Sequence, residues 1–103
     1  MANMMKMMKQ AQAMQKNMEL AQAALAEKSV EFTAGGDMVR VTATGDRSVT
    51  KISIDPKVVD SEDVEMLEDL VLAAVDGALK AAQKMADDEM AKVTKGLNLP
   101  GMF

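Results

Sequence analysis

The residues in this sequence that could do chemistry are few, and their types exclude more than they suggest. Histidine and cysteine are both absent, so the usual proton shuttle, the thiolate nucleophile and the common zinc ligands are missing. Carboxylates and lysines remain. Asp60, Glu62, Asp63 and Glu65 crowd together, which invites a divalent cation. The alternating ligands and glycine of a calcium loop are not there, however, and a helix start that complements its own dipole accounts for the cluster better. Gly35-Gly36 lacks the following lysine and hydroxyl of a phosphate-binding loop and reads as a turn. Ser48 and Thr50 have no candidate base and read as strand residues. No catalytic residue, cofactor or metal is expected, and the chain does not read as an enzyme.

What is left is charge offered to a partner. Lys6, Lys9 and Lys16 lie near the N-terminus, with Gln10, Gln12 and Asn17 keeping their surroundings polar; Lys84, Lys92 and Lys95 lie near the C-terminus. Separated lysines on helices suit a phosphate backbone or an acidic protein, although from charge alone they read first as solvated faces. The net charge of -4 is uneven. Residues 1–28 carry four lysines against two glutamates, residues 29–59 balance, and residues 60–103 carry ten acids against four lysines. That distribution opposes indiscriminate nucleic-acid binding and leaves only the N-terminal segment locally basic. The only two aromatics, Phe32 and Phe103, cannot form the stacking platform of a single-strand binder. No zinc-finger, helix-turn-helix or basic-zipper pattern appears.

The element that must organise these groups is a helix predicted over 61–95. Leu67, Val71, Ala74, Ala78, Ala82 and Met85 follow a 3.6-residue period, with Asp69, Asp76, Lys80, Gln83 and Asp87 opposite. Asp60 or Ser61 is placed to cap its start, and Lys92, Lys95 and Gly96 to end it. Such a helix would run roughly 50 Å, whereas a compact domain of about 100 residues has a radius of gyration near 13 Å. It should project and need a partner. Gly77, inside it, implies a bend or close packing against another helix.

Residues 1–28 are predicted to form a second helix. Met4, Met7, Ala11, Met14, Met18, Ala21 and Leu25 alternate three and four apart, a seven-residue repeat. The simpler assignment is a core stripe packed on the sheet of the same chain; the alternative is a seam against another helix. Residues 29–55 read as three short strands, Ser29 to Ala34, Met38 to Thr44 and Ser48 to Ile54. They are joined by Gly35-Gly36-Asp37 and Gly45-Asp46-Arg47, which tolerate the positive φ of tight turns. Pro56 ends the ladder. Residues 96–103 form an uncharged Gly/Pro tail whose Leu97, Leu99, Met102 and Phe103 are apolar enough to dock on a surface.

These elements predict one α+β domain of 103 residues. Alanine and twelve methionines supply much of its apolar content, so its core is thin and self-association is expected. Absence of cysteine suits a reducing cytosol. The methionine-rich start, interrupted by Lys6 and Lys9, is no signal peptide, and no apolar run approaches the roughly 20 residues of a membrane span.

Several words of the sequence then fall in a familiar order. Met8-Lys9-Gln10-Ala11-Gln12 is followed by Met14-Gln15, by the Gly35-Gly36 turn before Val39 and Val41, and by Ile54-Asp55-Pro56. Met66-Leu67-Glu68-Asp69-Leu70-Val71 with Ala73-Ala74 comes next, and Gly96-Leu97-Asn98-Leu99-Pro100-Gly101-Met102 closes the chain. Together they resemble the YbaB/EbfC family of small bacterial nucleoid-associated proteins. The resemblance implies a tweezer-like homodimer, its helices projecting from a joined sheet region. It also implies binding to double-stranded DNA and a role in nucleoid organisation or gene expression, in the cytoplasm at the nucleoid.

The matching words are core, turn and interface positions, so no contact residue carries over. Charge assigns Lys6, Lys9 and Lys16 as phosphate contacts and Lys84, Lys92 and Lys95 as secondary ones, with the acidic stretch from Asp60 to Asp76 facing away from DNA. The alternative function is a protein-interaction module that uses the methionine-rich helix and the apolar tail, with incidental DNA affinity.

Overall fold

Three alanines decide how closely helix and sheet approach in this protein. The computed structural model describes residues 2–97, in the order α1 (Ala2–Glu27), β1 (Ser29–Ala34), β2 (Val39–Thr44), β3 (Val49–Ile54), a 3-10 turn (Pro56–Val58) and α2 (Val64–Leu97). Ala74, Ala78 and Ala82, spaced one helical turn apart on α2, are completely buried, as are Val39, Val41 and Ala43 of β2. Small side chains on the helix let branched ones on the strand fill the space between the layers. Val58 completes this cluster, with Val30, Ala34, Leu67, Leu70, Val71, Val75 and Leu79 partly buried around it.

The sheet is the expected antiparallel meander, β1-β2-β3. Phe32 lies opposite Val41, and Val41 opposite Ile52, with a register irregularity between Thr42 and Ala43. Gly35, Gly36 and Asp37 take φ of 65°, 63° and 70°, the positive values that a tight turn requires. In the second turn the positive φ falls on Arg47 (64°) and not on Gly45. Gly45 serves a different purpose, a close approach to α1.

The long helix starts later than its sequence suggests. Asp60 does not cap it; its carboxylate accepts from the Glu62 N–H at 2.9 Å and closes a preceding turn. Asp63 is the cap, accepting from the Met66 N–H at 3.2 Å, and α2 begins at Val64. At the other end α2 continues through Gly96 to Leu97. The rest of the proposed tail, from Asn98 to Phe103, lies outside the described residues. Gly77 packs closely, but against a strand: a Cβ built there would come within 2.6 Å of Phe32 Cζ and nearer still to Cε1 and Cδ1.

The methionine stripe of α1 does not pack on the sheet of its own chain, contrary to the simpler assignment. Met4 and Met7 are 73% and 67% exposed. Among the described residues of α1 only Leu25 is buried, with Ala21 and Met14 half-buried; the helix meets α2 and touches β2 only slightly. The reason is length and direction. About 37 Å of α2 lies on one side of the contact between Lys28 and Glu89, and about 37 Å of α1 on the other, matching a molecule 73 × 23 × 16 Å in extent. Its radius of gyration of 20.0 Å is far above that of a compact chain of this size. Helix α1 is therefore an arm.

The sheet is also left half covered. Helix α2 lies over β1 and β2 and barely reaches β3. Ile52 and Ile54, opposite the buried Val41 and Val39 and so on the same face, are 46% and 38% exposed.

Candidate nucleic-acid interface

The arm sorts the charges of this chain by distance. From Ala2 to Met18 the sequence holds Lys6, Lys9 and Lys16 and no acid, and all three lysines are exposed on α1. Where α2 runs out beside the arm, from Met90 to Leu97, it carries Lys92 and Lys95 and again no acid. Lys92 is exposed; Lys95 occupies the last turns of the helix. Asp60, Glu62, Asp63, Glu65, Glu68 and Asp69 gather at the opposite end of the molecule, around the start of α2. Five of the six lysines singled out from the sequence thus share one end. A rod with a basic end and an acidic end presents phosphate with an attractive surface well separated from the repulsive one, beyond the Debye length of about 8 Å at physiological salt.

Lys84 is the exception. It is exposed on α2 over β1, lining a shallow groove of about 550 Å³ with Phe32, Ala73, Gly77, Lys80 and Ala81. Lys80, beside it, is paired with Asp76 at 2.9 Å, so the groove is less basic than its lysines imply.

The base of the arm holds a charged cluster that the sequence did not announce. Lys28 Nζ donates to Glu89 Oε1 at 2.7 Å, and Lys92 Nζ approaches the same oxygen at 3.5 Å. The Lys28 hydrogen bond holds the Glu89 carboxyl below the usual glutamate range, with smaller help from the charges of Lys28 and Lys92. Lys28 and Glu89 are 61 residues apart, which is why no local pattern reveals the pair. In the turn between β2 and β3, the Thr44 hydroxyl donates to Asp46 and lowers its pKa. This bond stabilises the turn that meets the end of α1.

Among the described residues no cluster of carboxylates is arranged to hold a metal ion, and no helix is long and apolar enough to cross a membrane.

A match to the model of the YbaB/EbfC DNA-binding family runs over residues 1–97. The chain belongs to that family. It is 55% identical over 101 residues to a protein of Alkaliphilus metalliredigens named nucleoid-associated protein, covering 98% of this chain and 89% of that one. A relative in Ruminiclostridium cellulolyticum with the same name is 52% identical over 102 residues, at 98% and 89% coverage. The crystal structure of the uncharacterized protein HP0035 from Helicobacter pylori superposes with a TM-score of 0.72 over 82% of this chain and 88% of that one. At 19% identity that likeness establishes the fold alone.

Lys6, Lys9, Lys16 and Lys92 are exposed cations at this end of the molecule. They offer point charges to phosphate oxygens. Bidentate recognition of guanine by arginine is not open to the arm, because both arginines lie outside it, Arg40 on β2 and Arg47 in the turn between β2 and β3.

Proposed function

We propose that this protein binds duplex DNA as a homodimer, gripping the phosphate backbone with the lysines of its projecting arm, and so contributes to nucleoid organisation or gene expression in the bacterial cytoplasm. The observation that carries this reading is the acid-free outer part of the arm, from Ala2 to Met18, bearing Lys6, Lys9 and Lys16, in a chain of a DNA-binding family whose relatives are named nucleoid-associated proteins. Lys92 extends the same surface from α2, Lys95 follows it in the last turns of that helix, and Lys84 contributes from the body.

The second copy covers the open half of the sheet. Val49, Ile52 and Ile54 of β3, with Leu72 on α2 at 69% exposed, leave apolar side chains open to water, as an interface would. Leu67, Val71, Leu72 and Val75, with Glu68 at its side, line an adjoining and mostly apolar groove. Two such faces meeting about a two-fold axis would bury each other and leave both arms free.

The test is the anisotropy of a labelled duplex titrated with the full chain at several salt concentrations, with dimer mass measured on the same sample. Saturable binding that weakens steeply with salt is expected, and Lys9→Glu with Lys16→Glu should weaken it and flatten that dependence. Unchanged binding by a folded double variant would remove the arm from the interface.

A second reading has its own observation. Met4, Met5, Met7 and Met8 are 61% to 73% exposed, and exposed methionines suit adaptable protein contacts. Under this reading the arm and the tail capture a protein and DNA affinity is incidental. Deleting residues 97–103 would then change the proteins captured while leaving the dimer intact.

A further inference from the structure

We infer that Glu89 is a positioning residue for DNA binding: through Lys28 it fixes the direction in which the lysine-bearing arm leaves the sheet. This rests on the arm reading above and adds a residue whose charge alone would argue against it.

The joint is built from two attachments. The first is backbone. The Gly45 N–H donates to the carbonyls of Leu25 at 2.9 Å and Lys28 at 3.0 Å, and the Lys28 N–H donates to Leu25 O at 3.1 Å. Leu25 is 4% exposed beside them. Gly45 is buried, and a Cβ there would sit 2.6 Å from Leu25 O, so only glycine lets the turn reach the end of α1. This ties down one end of a 26-residue helix, along which only Met14 and Ala21 are also partly buried.

Leverage makes any swing of the arm matter. A rotation of about 10° at the base of a helix roughly 39 Å long moves its tip by about 7 Å, close to two base-pair steps. The second attachment opposes it. Glu89, on α2, accepts at 2.7 Å from Lys28, the residue that follows α1, and is the one ion pair joining α2 to the connection between α1 and β1 among the described residues. Its side chain is only 25% exposed, whereas Asp87 and Asp88 beside it are exposed, and Asp88 makes no side-chain bond among the described residues.

Charge alone predicts the opposite behaviour. Glu89 lies between Lys28 and Lys92, where a carboxylate repels phosphate, so its removal should strengthen DNA binding. Positioning predicts that removal weakens it. Asp88→Asn removes the same charge one residue away and provides the control.

The experiment compares the full-length wild type, Glu89→Gln, Asp88→Asn and the swap Lys28→Glu with Glu89→Lys in duplex titrations across salt. Asp88→Asn should tighten binding up to about twofold, while Glu89→Gln should weaken it about threefold or more with a shallower salt slope, because fewer lysines reach phosphates together. The swap should restore affinity and slope toward wild type. Spin labels at Asn3→Cys and Lys51→Cys, in a chain with no native cysteine and diluted with unlabelled chain, read the arm directly. The wild type should give a narrow distance distribution and Glu89→Gln a broad one. An unchanged distribution, or tighter binding by Glu89→Gln matching that of Asp88→Asn, overturns the inference. Failure of the wild type to bind DNA overturns the DNA reading instead, and the label distances still decide the joint.

Discussion

The ring of Phe32 on β1 rests against the bare backbone of Gly77 on α2, closer than any side chain at position 77 would allow. Glycine inside a helix costs about 1 kcal/mol relative to alanine, and here that sacrifice lets the larger of the two partners lie flat. Phe32 sits beside the alanine-lined contact of α2 with the sheet, at the edge that β1 forms. It is the sole aromatic among the described residues, and at 41% exposed it flanks the buried core without joining it.

Gly77→Ala should therefore destabilise the protein by about 1–3 kcal/mol, the usual range for overpacking, despite its better helix propensity. In a Phe32→Ala background the sign should reverse, with Gly77→Ala stabilising by about 0.5–1 kcal/mol once the ring is gone. Denaturant unfolding of the four proteins in this cycle checks both signs. Equal effects of Gly77→Ala in the two backgrounds would mean that the ring and the glycine are not coupled.

Ile52→Lys should turn the proposed dimer into a monomer without unfolding the chain. Ile52 is 46% exposed in the single chain, so a lysine there meets water in the monomer and is buried without a partner in the proposed dimer, a penalty of several kcal/mol. Light scattering gives the mass and circular dichroism the fold. A dimer of unchanged mass would place the interface elsewhere.

Gly45→Ala should loosen the arm more than Gly36→Ala does. A Cβ at Gly36 meets nothing within 4 Å and strains only a positive φ, whereas at Gly45 it meets the Leu25 carbonyl. Hydrogen exchange at Leu25 to Ser29 should accelerate about tenfold or more in Gly45→Ala. Gly36→Ala should leave those amides protected and cause at most the roughly 1 kcal/mol loss expected of strain at a turn.

Acidification should weaken the joint in a defined window. The pKa of Glu89 is lowered on folding, chiefly by the Lys28 hydrogen bond. Its stabilising contribution is therefore fully present above the ordinary glutamate value of 4.5 and is lost as pH falls through the lower folded value. Stability of the wild type measured from pH 6 to pH 3 should fall more steeply below that value than stability of Glu89→Gln. Parallel curves would show that the ion pair contributes nothing to the folded state.

Much of this was legible in the residues themselves. Element order, the meander, both glycine-bearing turns and the alanine face of α2 follow from periodicity and turn chemistry, which act over a few neighbouring residues. Family membership was legible in words spread along the whole chain. The sequence places the start of α2 three residues early because Asp60, Ser61 and Asp63 can each accept the same kind of N–H bond, and only the path of the chain after Pro56 selects Asp63.

The sequence by itself determined which residues pair their periodicities, and therefore two helices, a three-stranded sheet and a lysine-only N-terminal stretch. Tertiary structure decided where those pieces point. The heptad stripe of α1 looks the same whether it packs on its own sheet or projects past it, because a pattern specifies a face and not what covers it. The outcome turned on contacts between residues far apart in the chain: Gly45 against Leu25, Phe32 against Gly77, and Lys28 on Glu89. Those contacts depend on distances in space that no local pattern encodes, and they send the basic arm and the acidic start of α2 to opposite ends of the molecule.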